Sequence, residues 1–376
     1  MSAVRVLVVT IVHDPRDSRI FARQIAAMLD AGWHVTYAAP FSATGAPVPQ
    51  LARLRALDLP RAYGRRRAAA WRAARRLVRA ESARHDLVLL HDPELVLATA
   101  VRGTPAVVWD VHEDTAGAIE HKGWLPPSAR GVASAGARWL ERWSERHFDL
   151  ILAEHAYQDR FARTHTVVPN TVRVPPAVSA SGSSTVVYVG SITRVRGGLD
   201  LIEVGRQLRR RTDGAVTLRL IGPADEPTTT ALEAAVAAGD VRWDGRQPSD
   251  VAMKALDGAL AGLSLLHDTA NYRASLPTKV VEYMAHGVPV VTTPLPLAKA
   301  LVERAECGFV VPFATPSVAV DAVLRLLEDP ALRERMAASG RATAVAEFDW
   351  SVQSAAFLAE LERVVAKHQS RRSVSP

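Results

Sequence analysis

The stretch Tyr272–Val291, YRASLPTKVVEYMAHGVPVV, decides how the rest of the chain is read. Pro277 fits a first helical turn, Gly287 fits the position just past the last one, and Val288 to Val291 run on as an apolar strand. Backbone N–H groups at such a helix start, helped by the Lys279 ammonium, make a place for phosphate. Glu282 follows Lys279 by three residues and so shares its helix face, where a carboxylate can accept hydrogen bonds from vicinal hydroxyls such as those of a ribose. Phosphate and ribose together spell a nucleotide. An ordinary surface helix with a Lys/Glu pair has the same grammar, and the stretch alone leaves both readings open.

Working outward, apolar runs of strand length alternate with helical patterns from end to end, which predicts an α/β protein built on parallel sheets. Val4–Thr10, Ser18–Asp30 and His34–Ala38 read as a βαβ unit, with Ile20, Phe21, Ile25, Met28 and Leu29 on the buried side of the helix. Asp86–Leu90, Ala106–Asp110, Leu150–Ala153 and Thr166–Val168 add short strands that end in polar residues. The Pro/Ser/Gly-rich run from Val174 to Ser184 marks a linker, after which the alternation restarts at Thr185–Gly190. The expected organisation is a first Rossmann-like domain over 1–172, a hinge over 173–184 and a second domain over 185–350. A final helix over 351–367 is read as packing back on the first domain, with a frayed tail over 368–376. In doubly wound sheets ligands bind at the carboxyl ends of the strands, so the ligand is expected in the cleft between the two domains.

A length of 376 residues accommodates two such domains, and 48% hydrophobic with 23% charged residues is ordinary for a globular enzyme. Cys307 stands alone, which excludes a disulfide framework and any multi-cysteine metal site; a small buried hydrophobe in a reducing cytoplasm is the expected reading. The apolar run Val6–Val12 is followed at once by His13, Asp14 and Arg16, a strand end rather than a signal peptide. No apolar stretch reaches the roughly 20 residues of a spanning helix. Net charge is +7, and much of the excess lies between Arg61 and Arg84, where Arg65, Arg66, Arg67, Arg72, Arg75, Arg76 and Arg79 surround Trp71, Leu77 and Val78. This basic helix reads as a solvated face, a dock for anionic lipid at the inner membrane face, or a nucleic-acid patch, and no nucleic-acid motif accompanies it.

The strand ends carry the polar residues. The loop after the first strand, IVHDPRDSRIF, has none of the glycines of a dinucleotide oxidoreductase. It offers His13 and Arg19 instead, with Asp17 or Ser18 as a helix cap. His91, Asp92 and Glu94 end one strand, and His112 and Glu113 end the next. An acid-flanked histidine at a strand end can bond a hydroxyl or move a proton, and no spacing typical of a metal site accompanies these pairs. In the second half, Gly190-Ser-Ile-Thr-Arg-Val-Arg-Gly-Gly198 combines glycines that admit close backbone approach with the charges of Arg194 and Arg196, and so faces a phosphate. This loop and the Lys279 helix would bracket a diphosphate.

In that order, HDPRDSRIFARQ, LLHDPELV, VVWDVHED, VVPNTV, YVGSITRVRGG, SLPTKVVEYMAHGVPVV and GFVVPFATPSVAVDAVLRLLED resemble the GT-B fold glycosyltransferases, specifically the retaining, nucleotide-sugar-dependent family 4. The segments cover almost the whole chain, and bacterial members that build surface polysaccharides or modify secondary metabolites are the most similar. The resemblance implies two doubly wound Rossmann-like domains and a nucleoside diphosphate sugar as co-substrate, with no cofactor and no metal. It implies that Glu282 binds the ribose, that Arg196 beside Gly197 neutralises the diphosphate with Lys279 assisting, that backbone around Ser275, Leu276, Pro277 and Thr278 together with the Gly190 loop holds the donor, and that His112 touches the donor sugar. Two departures stand out. The family's first acid would fall at 274, where this chain has Ala274, which leaves Tyr272, Arg273 or Ser275 to contact the sugar; Ser191 occupies a position often basic. A nucleotide-sugar epimerase of the same architecture and a non-catalytic partner subunit are the alternatives.

Overall fold

The computed structural model describes residues 3–99, 105–112, 127–273 and 275–374. The chain forms two compact units, Met1–Asn170 with Ser351–Pro376, and Thr171–Trp350. Unit 1 holds a parallel sheet of β1 (Arg5–Val9), β2 (His34–Ala39), β3 (Leu54–Asp58), β4 (Leu87–Leu90), β5 (Ala106–Val111), β6 (Asp149–Leu152) and β7 (Thr166–Val167), ordered β3-β2-β1-β4-β5-β6-β7. Unit 2 holds β8 (Thr185–Val189), β9 (Thr217–Ile221), β10 (Val241–Trp243), β11 (Ala261–Ser264), β12 (Val290–Thr292) and β13 (Gly308–Val310), ordered β10-β9-β8-β11-β12-β13 and also parallel. Both sheets are doubly wound. The chain reverses direction beside β1 and β4 in unit 1 and beside β8 and β11 in unit 2, and those two gaps are where such sheets receive ligands.

The strands read as near-continuous apolar runs because both faces of each sheet are covered. On β8, Val186 and Tyr188 enter the core under the Gly198–Arg211 helix, while Val187 enters the core with Val280, Val281, Tyr283 and Met284 of the Thr278–Ala285 helix. Each fully buried Val or Leu there contributes roughly 1.5–3 kcal/mol, so Val187→Asp would break unit 2 from within. In unit 1, Leu7, Val9, Val88, Leu90, Val107 and Trp109 form one core with Ala70, Ala74 and Val78 of the Arg67–Glu81 helix.

Some local expectations shift. Pro277 stands one residue before the helix, as its cap, with Gly287 in the left-handed region at φ +64°. The first helix opens with π-type turns over Ile20–Ile25, and Asp17 caps it by accepting from the N–H groups of Arg19 and Ile20 at 2.8 and 3.0 Å. The last helix runs from Trp350 to Val374, so His368–Val374 are helical where a frayed tail was expected. That helix is tied to unit 1 by Lys367 Nζ donating to Asp149 Oδ1 at 2.7 Å. Glu113 and Ala274 lie outside the described residues.

Candidate functional site

At the β1/β4 gap of unit 1 the polar residues form a linked network. Asp92, fully buried just past β4, accepts from Thr10 Oγ1 at 3.0 Å and from the N–H groups of Ile11 and Val12 at 2.5 and 3.2 Å, while His13 Nε2 lies 3.3 Å from its other oxygen. Burial raises the Asp92 carboxyl above its ordinary range, against the pull of His13 and the Ile11 N–H. One strand over, Asp110 is the hub. Arg19 Nε and Nη2 donate to its two oxygens at 2.8 and 2.7 Å, and Gln24 Nε2 donates at 2.9 Å. Burial alone would raise Asp110, but the Arg19 charge and hydrogen bonds, with His91 and His112, hold it well below the usual carboxylate range. Arg19 Nη1 also donates to Asn170 Oδ1 at 3.1 Å.

The histidines follow from that hub. His112 Nδ1 is 3.0 Å from the Asp110 carbonyl, which only accepts, so Nδ1 carries the proton and Nε2 offers a lone pair. His13 Nε2, 3.1 Å away, must then be the donor to it. Burial, with His13, His91 and Arg19 nearby, pulls the His112 pKa down to about 4 in spite of Asp110, in keeping with a neutral ring. His91 Nδ1 stands 3.3 Å from Asp110 Oδ2, close enough for electrostatic support but outside hydrogen-bond alignment. The ligand atoms of His91, Asp110 and His112 lie within 4.8 Å of one another, the spacing of a metal trio. The donor set does not suit a cation: both Asp110 oxygens already serve Arg19, whose buried guanidinium would oppose a divalent ion. Glu94 leaves the group altogether and pairs with Arg67 of the basic helix.

At the β8/β11 gap of unit 2 the polar residues are arranged differently. The loop leaving β8 turns at Gly190, φ +128°, and a Cβ there would lie 3.4 Å from Lys279 Nζ and 3.8 Å from Arg196 Nη1. Two basic side chains therefore converge on one bare stretch of backbone. Gly197, φ +77°, lies so close to the Leu265 carbonyl that any side chain would overlap it. The loop is thus pressed onto the exit of β11, where His267 N–H donates to Val195 O at 3.0 Å and His267 Nε2 meets Asp200 Oδ2 at 2.5 Å. Arg196 Nε donates to Tyr272 Oη at 3.2 Å. Arg273 pairs with Asp268 at the surface, and Arg194 is exposed.

Lys279 is buried, unlike the lysine of an ordinary surface helix. It is 6% exposed, its Nζ lies 3.6 Å from the centre of the Tyr188 ring, and among the described residues it has no hydrogen-bond partner. Burial and the Arg196 charge push its pKa well below the lysine range against the opposing charge of Glu282. Ser275 to Thr278 lead into the helix start beside it, all half-buried. The Arg and Lys of this group are legible in the sequence, whereas the side-chain pairing of Asp200 with His267 carries no local signal, and in unit 1 Asp110 and Gln24 were missed. Asp110 had a signal: an acid within the buried run AVVWDV must find a partner.

Residues 18–177 match the family described as "Glycosyl transferase 4-like domain", and residues 175–343 match "Glycosyl transferases group 1". A phosphatidyl-myo-inositol mannosyltransferase of Mycobacterium leprae is 38% identical over 85 residues, a stretch that spans 23% of this chain and only 22% of that protein. Among solved structures, sucrose-phosphate synthase from Thermosynechococcus elongatus has a TM-score of 0.72 at 16% identity, covering 97% of this chain and 100% of that one. HepE of Anabaena in complex with UDP and glucose has a TM-score of 0.69 at 15% identity, covering 96% and 100%. At those identities the likeness speaks for the GT-B fold.

Proposed function

We propose, for a chain that by its two matched domains is a GT-B glycosyltransferase, that it moves a glycosyl unit from a nucleoside diphosphate sugar to an acceptor hydroxyl or amine with retention of configuration. The observation that carries this reading is the convergence of Arg196 and Lys279 on the Gly190 turn, two basic side chains against open backbone beside a helix start. Such a place suits a diphosphate. As the bond from the anomeric carbon to the phosphate oxygen breaks, the leaving diphosphate gains charge, and these cations stabilise it where it forms. The acceptor oxygen bonds the same face of that carbon, and its proton passes to the leaving phosphate. No carboxylate nucleophile and no metal is required by this scheme. Glu282 takes the ribose hydroxyls, and backbone from Ser275 to Thr278 with Gly190 and Gly197 seats the rest of the donor.

In unit 1, His112 and His13 present the polar groups for sugar and acceptor hydroxyls, with His91, Asp92 and Arg19 holding them in place. A polysaccharide, a lipid-linked intermediate or a small metabolite would each supply such a hydroxyl. The test is a screen of nucleoside diphosphate sugars by thermal shift, followed by turnover with the best donor. Alanine at Glu282 is expected to lower transfer by orders of magnitude, and near-normal turnover would sink the assignment. Incubating the donor alone distinguishes an epimerase, which would isomerise the sugar with no acceptor present.

The basic helix fits contact with an anionic membrane surface by charge alone. Arg65, Arg66, Arg72, Arg76 and Arg79 are exposed, and Tyr63 is 79% exposed at its start. Val78 is buried, and Trp71 and Leu77 pack against the unit 1 core, so the apolar side expected from sequence is already used. No described helix is long and apolar enough to cross a membrane. Attraction without insertion predicts binding to anionic vesicles at low salt that vanishes in about 0.5 M salt; no binding at low salt removes the proposal.

A further inference from the structure

Arg196 and Lys279 meet their surroundings on different terms. Arg196 is half-buried and has the Tyr272 phenol as a partner. Among the described residues Lys279 has no hydrogen-bond partner, although β8, the turn after it and its own helix each bring a charged or titratable group near it. The turn after β8 brings Arg196, and β8 itself brings Tyr188, whose phenol donates to Ser191 O at 2.7 Å and so presents only its ring face to Nζ. Its own helix brings Glu282 and Tyr283; the Tyr283 phenol donates to Leu263 O and receives the Val189 N–H. A ring face attracts a cation but accepts no conventional hydrogen bond, so an ammonium here keeps three buried donors unsatisfied beside another positive charge. The neutral amine avoids that cost, and the downward shift of the Lys279 pKa agrees.

A diphosphate reverses the balance, because it brings acceptor oxygens and negative charge to the place where the amine has neither. We propose that a nucleoside diphosphate binds unit 2 together with one proton, taken up by the Lys279 amine as the phosphates arrive. This rests on the donor-binding reading of the site. Two consequences follow from linkage. Donor affinity falls as pH rises, by about tenfold per pH unit once the free amine has lost its proton. The ammonium created on binding then stands beside the phosphate that must leave.

The test is calorimetric titration of the full chain with UDP between pH 7.5 and 9.5, where the terminal phosphate, with an ionisation near about 6, is already fully charged. Each titration is run in two buffers of different ionisation enthalpy. The wild type is expected to show a buffer-dependent enthalpy equivalent to uptake rising toward one proton, with Kd climbing toward tenfold per unit. Lys279→Arg keeps a permanent charge and is expected to bind with no uptake and a flat Kd; Lys279→Met binds more weakly, also without uptake. Wild-type binding with a buffer-independent enthalpy at every pH overturns the coupling while leaving the donor site standing. Failure of the wild type to bind UDP, GDP, ADP or TDP overturns the donor reading and the coupling with it.

Discussion

The gap beside β1 and β4 and the gap beside β8 and β11 occupy equivalent places in two sheets of the same design, and they treat charge in opposite ways. In unit 1 the buried charges answer one another: Arg19 holds Asp110 through the Nε and Nη2 edge of its guanidinium, and Asp92 is ringed by backbone N–H groups, a hydroxyl and His13. In unit 2, among the described residues, a buried amine lies on a ring face with no hydrogen-bond partner, and Arg196 beside it donates to a neutral phenol. A wall whose buried charges are already matched suits neutral, hydroxylated ligands better than ions. A site short of negative charge suits an anion that supplies it. One topology thus carries two arrangements of charge, which differ in whether the charges left at the strand ends are already matched.

That contrast can be broken most severely at Arg19. Arg19→Ala would strand the Asp110 carboxylate in unit 1, and chemical denaturation should show a loss of about 3–5 kcal/mol. Acid probes the same network. The His112 pKa of about 4 in the folded chain lies below its unfolded value of 6.5, so the unfolded chain binds the extra proton between them. Its contribution is therefore full above about pH 6.5 and declines as pH falls toward 4, by at most about 3 kcal/mol. Asp92, raised by burial, acts in the opposite sense, so the measurement is the difference in pH-stability slope between wild type and His112→Gln.

Arg196→Ala sharpens the contrast from the other side. It should leave stability within about 1 kcal/mol yet weaken UDP binding by about 1.5–3 kcal/mol, roughly 10- to 100-fold, in the same calorimeter. Equal losses of stability from Arg19→Ala and Arg196→Ala would erase the distinction. The smallest effect is expected at Glu94, whose partner Arg67 is exposed: Glu94→Gln should change the unfolding free energy by less than about 1 kcal/mol.

Much of this was legible in the residues. The Pro277–Gly287 grammar, the glycines around Arg196 and the apolar runs of β1, β4 and β5 are local signals, and each marks an element that exists. The edge strand β3 was not legible, because LRALD is half exposed and broken by charge, so neither alternation nor a continuous apolar run betrays it. Lys279 shows a deeper limit. Its spacing from Glu282 says that the two share a helix side but not how far the amine sinks, and only the packing of Tyr188 decides that. Pairs such as Asp200 with His267 lie far apart in sequence and are invisible until β8 and β11 stand side by side.

The return of Ser351–Pro376 to unit 1 also has a consequence for how the chain comes into being. Unit 2 is contiguous from Thr171 to Trp350, so every contact it needs is present once that stretch has left the ribosome. Unit 1 begins first and finishes last. Asp149 waits for Lys367 and Arg363, and until they arrive the second half of its sheet lacks the helix that ties it down. During synthesis the order of completion therefore runs against the order of sequence, with an unfinished N-terminal sheet as the species most in need of protection.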